Sequence, residues 1–264
     1  MAEQAPLTLE GWYALHQMYA IDWAALQSRN DRDRVAGAAV AALKKIEHAE
    51  QGWSVPFRLV GGGADVMVVH FRDTLAALGD AELELRRAVG PVLRLEYEYL
   101  SVTEAGLYHV TAAAAEQARP GSPEYQKLVD EALEAERGSA HVQSRLYPSI
   151  PEGMRYISFY PMSRRRVHPD NWYMLPLQER NRLMREHGLS ARVFAGRVFQ
   201  VICGSLGLDD WEWGVTLFAK DPLEFKRIVT DMRYDEASAR YSEFGTFYTG
   251  MRMTAEEVGS LLAG

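Results

Sequence analysis

The tightest constraint on the fold is a repetition inside the chain. Asp65–Phe71, followed by Asp73 and Leu75, resembles Asp210–Phe218, followed by Asp221 and Leu223, at an offset of about 147 residues. In both places an apolar strand runs into a capped helix. The surroundings repeat as well. In the N-terminal third, Gly11–His16 reads as a strand and Ser28–Glu50 as a helix, with Val35, Ala39, Leu43 and Ile46 at helical spacing. Phe57–Val60 and Asp65–Phe71 are strands around a Gly61–Gly63 turn. A helix opens at Asp73 and reaches about Val89, and Leu93–Val102 alternates as a strand. In the C-terminal half, strands are predicted at Tyr156–Tyr160, Arg197–Cys203, Trp211–Phe218 and Phe244–Met251. Helices are predicted at Leu177–His187, stopped by Gly188, and from Pro222 to about Met232.

Each half is therefore strand–helix–strand–strand–helix–strand, a ferredoxin-like unit. The predicted class is α+β, with one repeat over 1–111, a second over 151–264 and an Ala- and Glu-rich helical connector over 112–150. Two such sheets pack face to face or curl into one α+β barrel.

Charge and composition narrow the function. Acidic residues outnumber basic ones 36 to 29, giving a net charge of −7 in 264 residues. A general nucleic-acid binder needs the opposite sign. Cys203 is the single cysteine, so no internal disulfide or multi-cysteine metal centre forms. No apolar run approaches the roughly 20 residues that cross a bilayer, and Met1–Glu10 has no signal-peptide pattern. The expected location is the cytoplasm. Phosphate-binding loops, the nucleophile elbow and His-Glu-x-x-His are absent, and Gly61–Gly63 reads as a turn between strands.

Four features carry chemistry. Arg164-Arg165-Arg166 is a solvated turn or an anion site, because guanidinium groups offer bidentate geometry to carboxylates. His187 is a helix-terminal imidazole or the one protein nitrogen that an iron macrocycle requires. Gln200 shares an apolar strand face with Val198 and Ile202, as a structural amide or as a polar group facing a ligand. Tyr160 ends a strand just before the arginine run, in the core or beside a substrate to which it gives a proton or a hydrogen atom.

The wording of these segments carries a resemblance. Tyr160-Pro161-Met162-Ser163-Arg164-Arg165-Arg166, Asn171–Pro176, Met184–Gly188, Asp209–Phe218 and Met232–Tyr241 resemble the chlorite dismutase-like superfamily, and within it the coproheme decarboxylases of the Gram-positive type. The N-terminal echo is Gly11–Leu15. The resemblance implies a homopentamer that binds iron porphyrin in the C-terminal repeat. It implies removal, with hydrogen peroxide, of two propionate carboxyls from Fe-coproporphyrin III (coproheme), giving haem b and CO₂. By the same resemblance His187 is the iron ligand, Tyr160 the residue whose radical takes hydrogen from a propionate, and Gln200 the distal glutamine. Arg145, Pro161, Met162, Ser163, Arg164, Arg233 and Ser238 are implied substrate contacts, and another enzyme supplies the coproheme in transient contact. Relatives have lysine where Arg164 stands, so carboxylate binding carries over to it better than proton delivery. The rival readings are a chlorite dismutase, whose distal arginine is here Gln200, and a non-catalytic haem carrier or sensor.

Overall fold

The computed structural model describes residues 6–90 and 92–264. The part of the Met1–Glu10 reading that falls on residues 1–5 lies outside them. The N-terminal repeat runs β1 (Thr8–Ile21), α1 (Arg29–Glu47), β2 (Gly52–Leu59), β3 (Val66–Arg72), α2 (Leu75–Val89) and β4 (Leu93–Gly106). Ser28 and Thr74 cap its helices by accepting the backbone N–H three residues on; the second cap is Thr74 rather than Asp73. The connector holds three helices, α3 (Tyr108–Gln117), α4 (Pro123–Arg137) and α5 (Ala140–Leu146).

The C-terminal repeat runs β5 (Tyr156–Arg164), α6 (Leu177–Arg192), β6 (Val198–Gly204), β7 (Trp213–Ala219), α7 (Leu223–Met232), α8 (Glu236–Tyr241), β8 (Ser242–Phe244) and β9 (Tyr248–Arg252), and α9 (Ala255–Ala263) ends the chain. Helix α6 does not stop at Gly188. It continues a further turn to Arg192, since glycine inside a helix costs only about 1 kcal/mol relative to alanine. The predicted closing strand is divided between β8 and β9.

The strand order is β7-β6-β4-β1-β3-β2-β9-β5, and β5 pairs again with β7, which closes a barrel. Each repeat contributes the same order, β4-β1-β3-β2 and β9-β5-β7-β6. The repeats join at both edges, through β4 with β6 and β2 with β9. Of the two arrangements open to the sequence, the chain takes the barrel. Its interior is a core shared by both repeats, including Met18, Phe57, Phe71, Tyr99, Phe159 and Phe218, all fully buried.

Outside the barrel the repeats differ, and that difference makes room for a site. Helices α1 and α2 lie on the N-terminal sheet over a continuous core, sealed by α9 through Val258 and Leu262. Helix α9 has a Thr254/Glu257 capping box, and its Gly259 fits closely, since a Cβ there would lie 2.6 Å from Val40. In the C-terminal repeat, Leu183 of α6 packs instead with Trp172, Ala237 and Tyr241. The sheet face there carries Tyr160, Val198, Val215 and Leu217, covered from one end by Phe194, Phe225 and Ile228.

Candidate functional site

Strand alternation decides which residues can face a common ligand. On β5, Tyr160, Met162 and Arg164 lie on the helix side, and Pro161 and Ser163 point the other way. Ser163 Oγ accepts from the Glu212 N–H at 3.3 Å, away from the phenol. The run Tyr160–Arg164 therefore does not converge as five side chains on one ligand. On β6, Val198, Gln200 and Ile202 share the helix-side face. Gln200 pairs with Leu217, Ile202 with Val215, and Val215 with Tyr160. Tyr160 and Gln200 are thus on one surface with β7 between them, about 9.5 Å apart across the sheet and offset by two residues, about 6.7 Å, along it, since Ile202 is the residue directly across from Tyr160.

Tyr160 is buried, 7% exposed, and its hydroxyl makes no hydrogen bond to another described residue. Burial pushes the phenol above its ordinary pKa, and the nearby Arg233 pulls it partly back. It is a neutral O–H at any physiological pH. The Gln200 amide is likewise without a described hydrogen-bond partner.

His187 comes from α6. Its Nδ1 lies 3.1 Å from Asp235 Oδ2 and 3.4 Å from Ser238 Oγ. Asp235 is the N-cap of α8: Oδ1 accepts the Ser238 N–H at 2.9 Å, and Oδ2 accepts the Ser238 hydroxyl at 3.1 Å. Burial alone would raise the Asp235 carboxyl, but the bonds from His187 and Ser238 outweigh it and hold the group below the usual carboxylate range. An Asp235 carboxylate on Nδ1 fixes the ring and leaves Nε2 as the nitrogen with its lone pair available. Metal-binding histidines are commonly oriented in this way. Asp235 was not among the residues singled out from the sequence. The signal that could have found it is Asp235-Glu-Ala-Ser238, a cap placed opposite an imidazole. Ser238 serves that cap and the histidine.

The arginine run does not form one patch. Arg164 is 7% exposed and turned inward, donating from Nη1 to Ala237 O and Ser242 Oγ at 2.7 Å each. Its Nη2 points at Met184 Sδ at 3.2 Å, and the guanidinium lies 4.3 Å over Trp172. Arg165 faces Glu243 at 3.8 Å and Arg166 faces Glu212 at 3.9 Å. The expectation of one concentrated anion patch at 164–166 fails because the end of β5 sends the three side chains in different directions.

The free guanidinium groups are elsewhere. Arg233, at the end of α7, lies 3.7 Å over the Phe244 ring and has no ion pair among the described residues. Arg145, in the last turn of α5, has no described hydrogen-bond or ion-pair partner. Desolvation first, and then the Arg192 guanidinium, loosen its proton. Among the described residues no group of three His, Cys, Asp or Glu side chains gathers as a metal cage.

The profile of the chlorite dismutase family matches residues 32–253, most of the chain. The chain belongs to the chlorite dismutase family. It is 38% identical to a heme-binding protein from Thermus thermophilus, with a TM-score of 0.80 over 99% of this chain and 98% of that one. A mutant chlorite dismutase from Candidatus Nitrospira defluvii shares the fold at 17% identity and a TM-score of 0.73, covering 99% of this chain and 100% of that one. A second mutant of that enzyme gives 18% identity and a TM-score of 0.72 over 98% of both chains. This is a haem-binding family that includes oxidoreductase-type enzymes, and the mixed α+β architecture with an antiparallel sheet is the family fold. Among the described residues no helix is long and apolar enough to cross a membrane.

Proposed function

We propose that the chain is a coproheme decarboxylase, taking Fe-coproporphyrin III and hydrogen peroxide to haem b and CO₂ in haem biosynthesis. The observation that carries this reading is the Tyr160 phenol, buried and without a hydrogen-bond partner, on the same sheet face as Gln200. A carrier of haem has no use for such a phenol. The residues suit the porphyrin: His187 is turned by Asp235 so that Nε2 is the nitrogen offered to iron, the sheet face that carries Tyr160 is largely apolar, and Gln200 and the phenol are uncommitted polar groups on it. The bound iron porphyrin supplies oxidising equivalents when it meets peroxide.

The protein's own share is orientation and hydrogen transfer. Once oxidised, Tyr160 takes a hydrogen atom from a propionate methylene and is restored as the phenol. Loss of the second electron and of CO₂ leaves a vinyl group. Each propionate, one peroxide and one proton thus give one vinyl, one CO₂ and two waters. Arg145 and Arg233, whose guanidinium groups make no ion pair or hydrogen bond to described residues, are assigned to propionates, with Met162 on the wall beside Tyr160. Pro161, Ser163 and Arg164 shape that wall through the backbone and by holding α8. A cytoplasmic homopentamer, receiving coproheme from a supplying enzyme, completes the reading.

The test is to load the protein with Fe-coproporphyrin III, add peroxide and weigh the porphyrin. Loss of two carboxyl groups is expected from the wild type. Tyr160→Phe is expected to bind the porphyrin with unchanged affinity and to leave its mass unaltered. Decarboxylation retained by Tyr160→Phe overturns the mechanism, and bleaching of the wild type without a mass change favours a carrier or sensor. With Gln200 where chlorite dismutases have arginine, oxygen release from chlorite is expected to be negligible.

A further inference from the structure

The phenol at 160 is held by a device built from a proline and a glycine. Strand β5 pairs with β8 as far as Met162 opposite Phe244, and with β9 from Phe159 opposite Tyr248. Between those pairs β5 contributes Tyr160 and Pro161, whereas the opposing chain contributes Gly245, Thr246 and Phe247. Three residues against two make a bulge, a feature that re-aims side chains beside active sites. Pro161 accounts for its position, since it has no N–H with which to continue the ladder. Its carbonyl still accepts the Gly245 N–H at 2.9 Å. Gly245 is required because a Cβ there would lie 2.7 Å from Pro161 Cγ and 3.0 Å from the Trp211 ring.

The extra residue brings Phe247 back over the site. Its ring stacks on Tyr160, with centroids 4.3 Å apart and planes at 25°. Phe247 is 36% exposed while stacked on the buried phenol, so it lies at the edge of the site over Tyr160. Phe244, on the other side of the bulge, lies 5.9 Å from Tyr160 at 54° and carries the Arg233 guanidinium 3.7 Å over its ring. A guanidinium held over an aromatic ring is positioned without spending its N–H groups, which remain for a carboxylate.

We propose that Phe247 and Phe244 are positioning residues for this site: Phe247 fixes and shields the reactive phenol, and Phe244 holds Arg233 beside it as the receptor for a substrate carboxylate. This rests on the reading that the site takes a carboxylate-bearing iron porphyrin. It adds a structural reason why the reacting side arm and the phenol meet.

The wild type, Phe244→Leu and Phe244→Tyr are titrated with Fe-coproporphyrin III and with its tetramethyl ester, which has the same ring and no carboxylate. Phe244→Leu is expected to weaken binding of the acid about fivefold, to leave the ester unchanged, and to be rescued by Phe244→Tyr. Equal losses on both ligands, or no loss on the acid, overturn the role of Phe244. Phe247→Leu is expected to keep the affinity for the acid and to lower kcat with peroxide about tenfold. The freeze-quenched radical at Tyr160 should give a broadened magnetic-resonance spectrum, and Phe247→Tyr should restore both readouts. An unchanged kcat and spectrum overturn the role of Phe247. Failure of the wild type to bind either porphyrin overturns the underlying reading and this one together; tight binding with insensitive variants overturns the clamp alone.

Discussion

Arg164 ends β5 turned inward, where its guanidinium is met by Ala237 O, Ser242 Oγ and Met184 Sδ and lies over Trp172. A charge buried this deeply is tolerated because its fork is occupied. Truncating it removes two charge-assisted bonds to the segment around Asp235 and Ser238, leaving Ser242 Oγ donating to Ala237 O alone. Arg164→Ala is therefore expected to cost about 1–3 kcal/mol in denaturant unfolding. Arg164→Lys, which retains a charge but not a planar fork, should lie between the two. A raised KM with an unchanged unfolding midpoint would instead put this fork on the substrate. Asp235 acts on a neighbour rather than on substrate. Asp235→Asn removes the negative charge behind His187 and is expected to weaken iron-porphyrin binding about tenfold and to lower the iron–imidazole stretching frequency. Because the folded carboxyl titrates below its ordinary value, its stabilising contribution is present above the ordinary carboxylate pKa and is lost as pH falls through the depressed one. An unshifted frequency in Asp235→Asn would show that the carboxylate does not tune the imidazole.

At the scale of elements, His187 and Asp235 depend on how α6 and α8 are fastened together. Arg182 of α6 bonds Glu179 and Glu186 on its own helix and reaches Glu236 of α8 at 2.9 Å. Arg182→Met is expected to weaken porphyrin binding by less than Asp235→Asn does, with the melting temperature of the chain little changed, because a solvent-exposed network contributes little to global stability. A large drop in melting temperature would make the staple part of the global fold. The elements themselves were largely legible in the sequence. Period-two and period-3.6 patterns and the repeat placed the two ferredoxin-like units, and the order β4-β1-β3-β2 recurs as β9-β5-β7-β6. What the patterns did not show was set by contacts. Gly188 looked like a stop, but nothing lies within 4 Å of the place a Cβ would occupy, and the helix runs on. The arginine run looked like one site because adjacency in sequence says nothing about direction at a strand end. The break between β8 and β9 was hidden because its cause, Pro161, lies more than eighty residues away on the strand opposite. Asp235 was hidden for a similar reason, its partner His187 being on another helix.

For the whole molecule, the duplication makes one cooperative unit rather than two, and His16 stands at the seam. It belongs to β1 of the N-terminal repeat, yet its Nε2 bonds Thr216 Oγ1 of β7 at 2.8 Å and its ring stacks on Phe159 of β5 at 4.2 Å. His70, on β3, pairs through Nδ1 with Ser54 Oγ at 2.8 Å. Both rings are fully buried, and His16 Nδ1 and His70 Nε2 have no hydrogen-bond partner. Burial lowers each imidazole from 6.5 to about 3, with Arg72 and then His16 adding to the effect at His70. The unfolded chain therefore binds two more protons than the folded one between those limits. Stability from these groups is complete above pH 6.5 and is lost as pH falls towards 3. The penalty approaches roughly 5 kcal/mol per ring at the acid end, comparable in sum with the whole stability of an ordinary domain. Acid unfolding should thus be a single transition in which both repeats are lost together. Measured by urea unfolding between about pH 4 and 6, the dependence of stability on pH should become shallower by about 1.4 kcal/mol per pH unit in His16→Gln, and by the same amount in His70→Gln. A slope unaltered in both variants would place the acid trigger elsewhere, and two separated transitions would mean that the closed barrel does not bind the repeats into one folding unit.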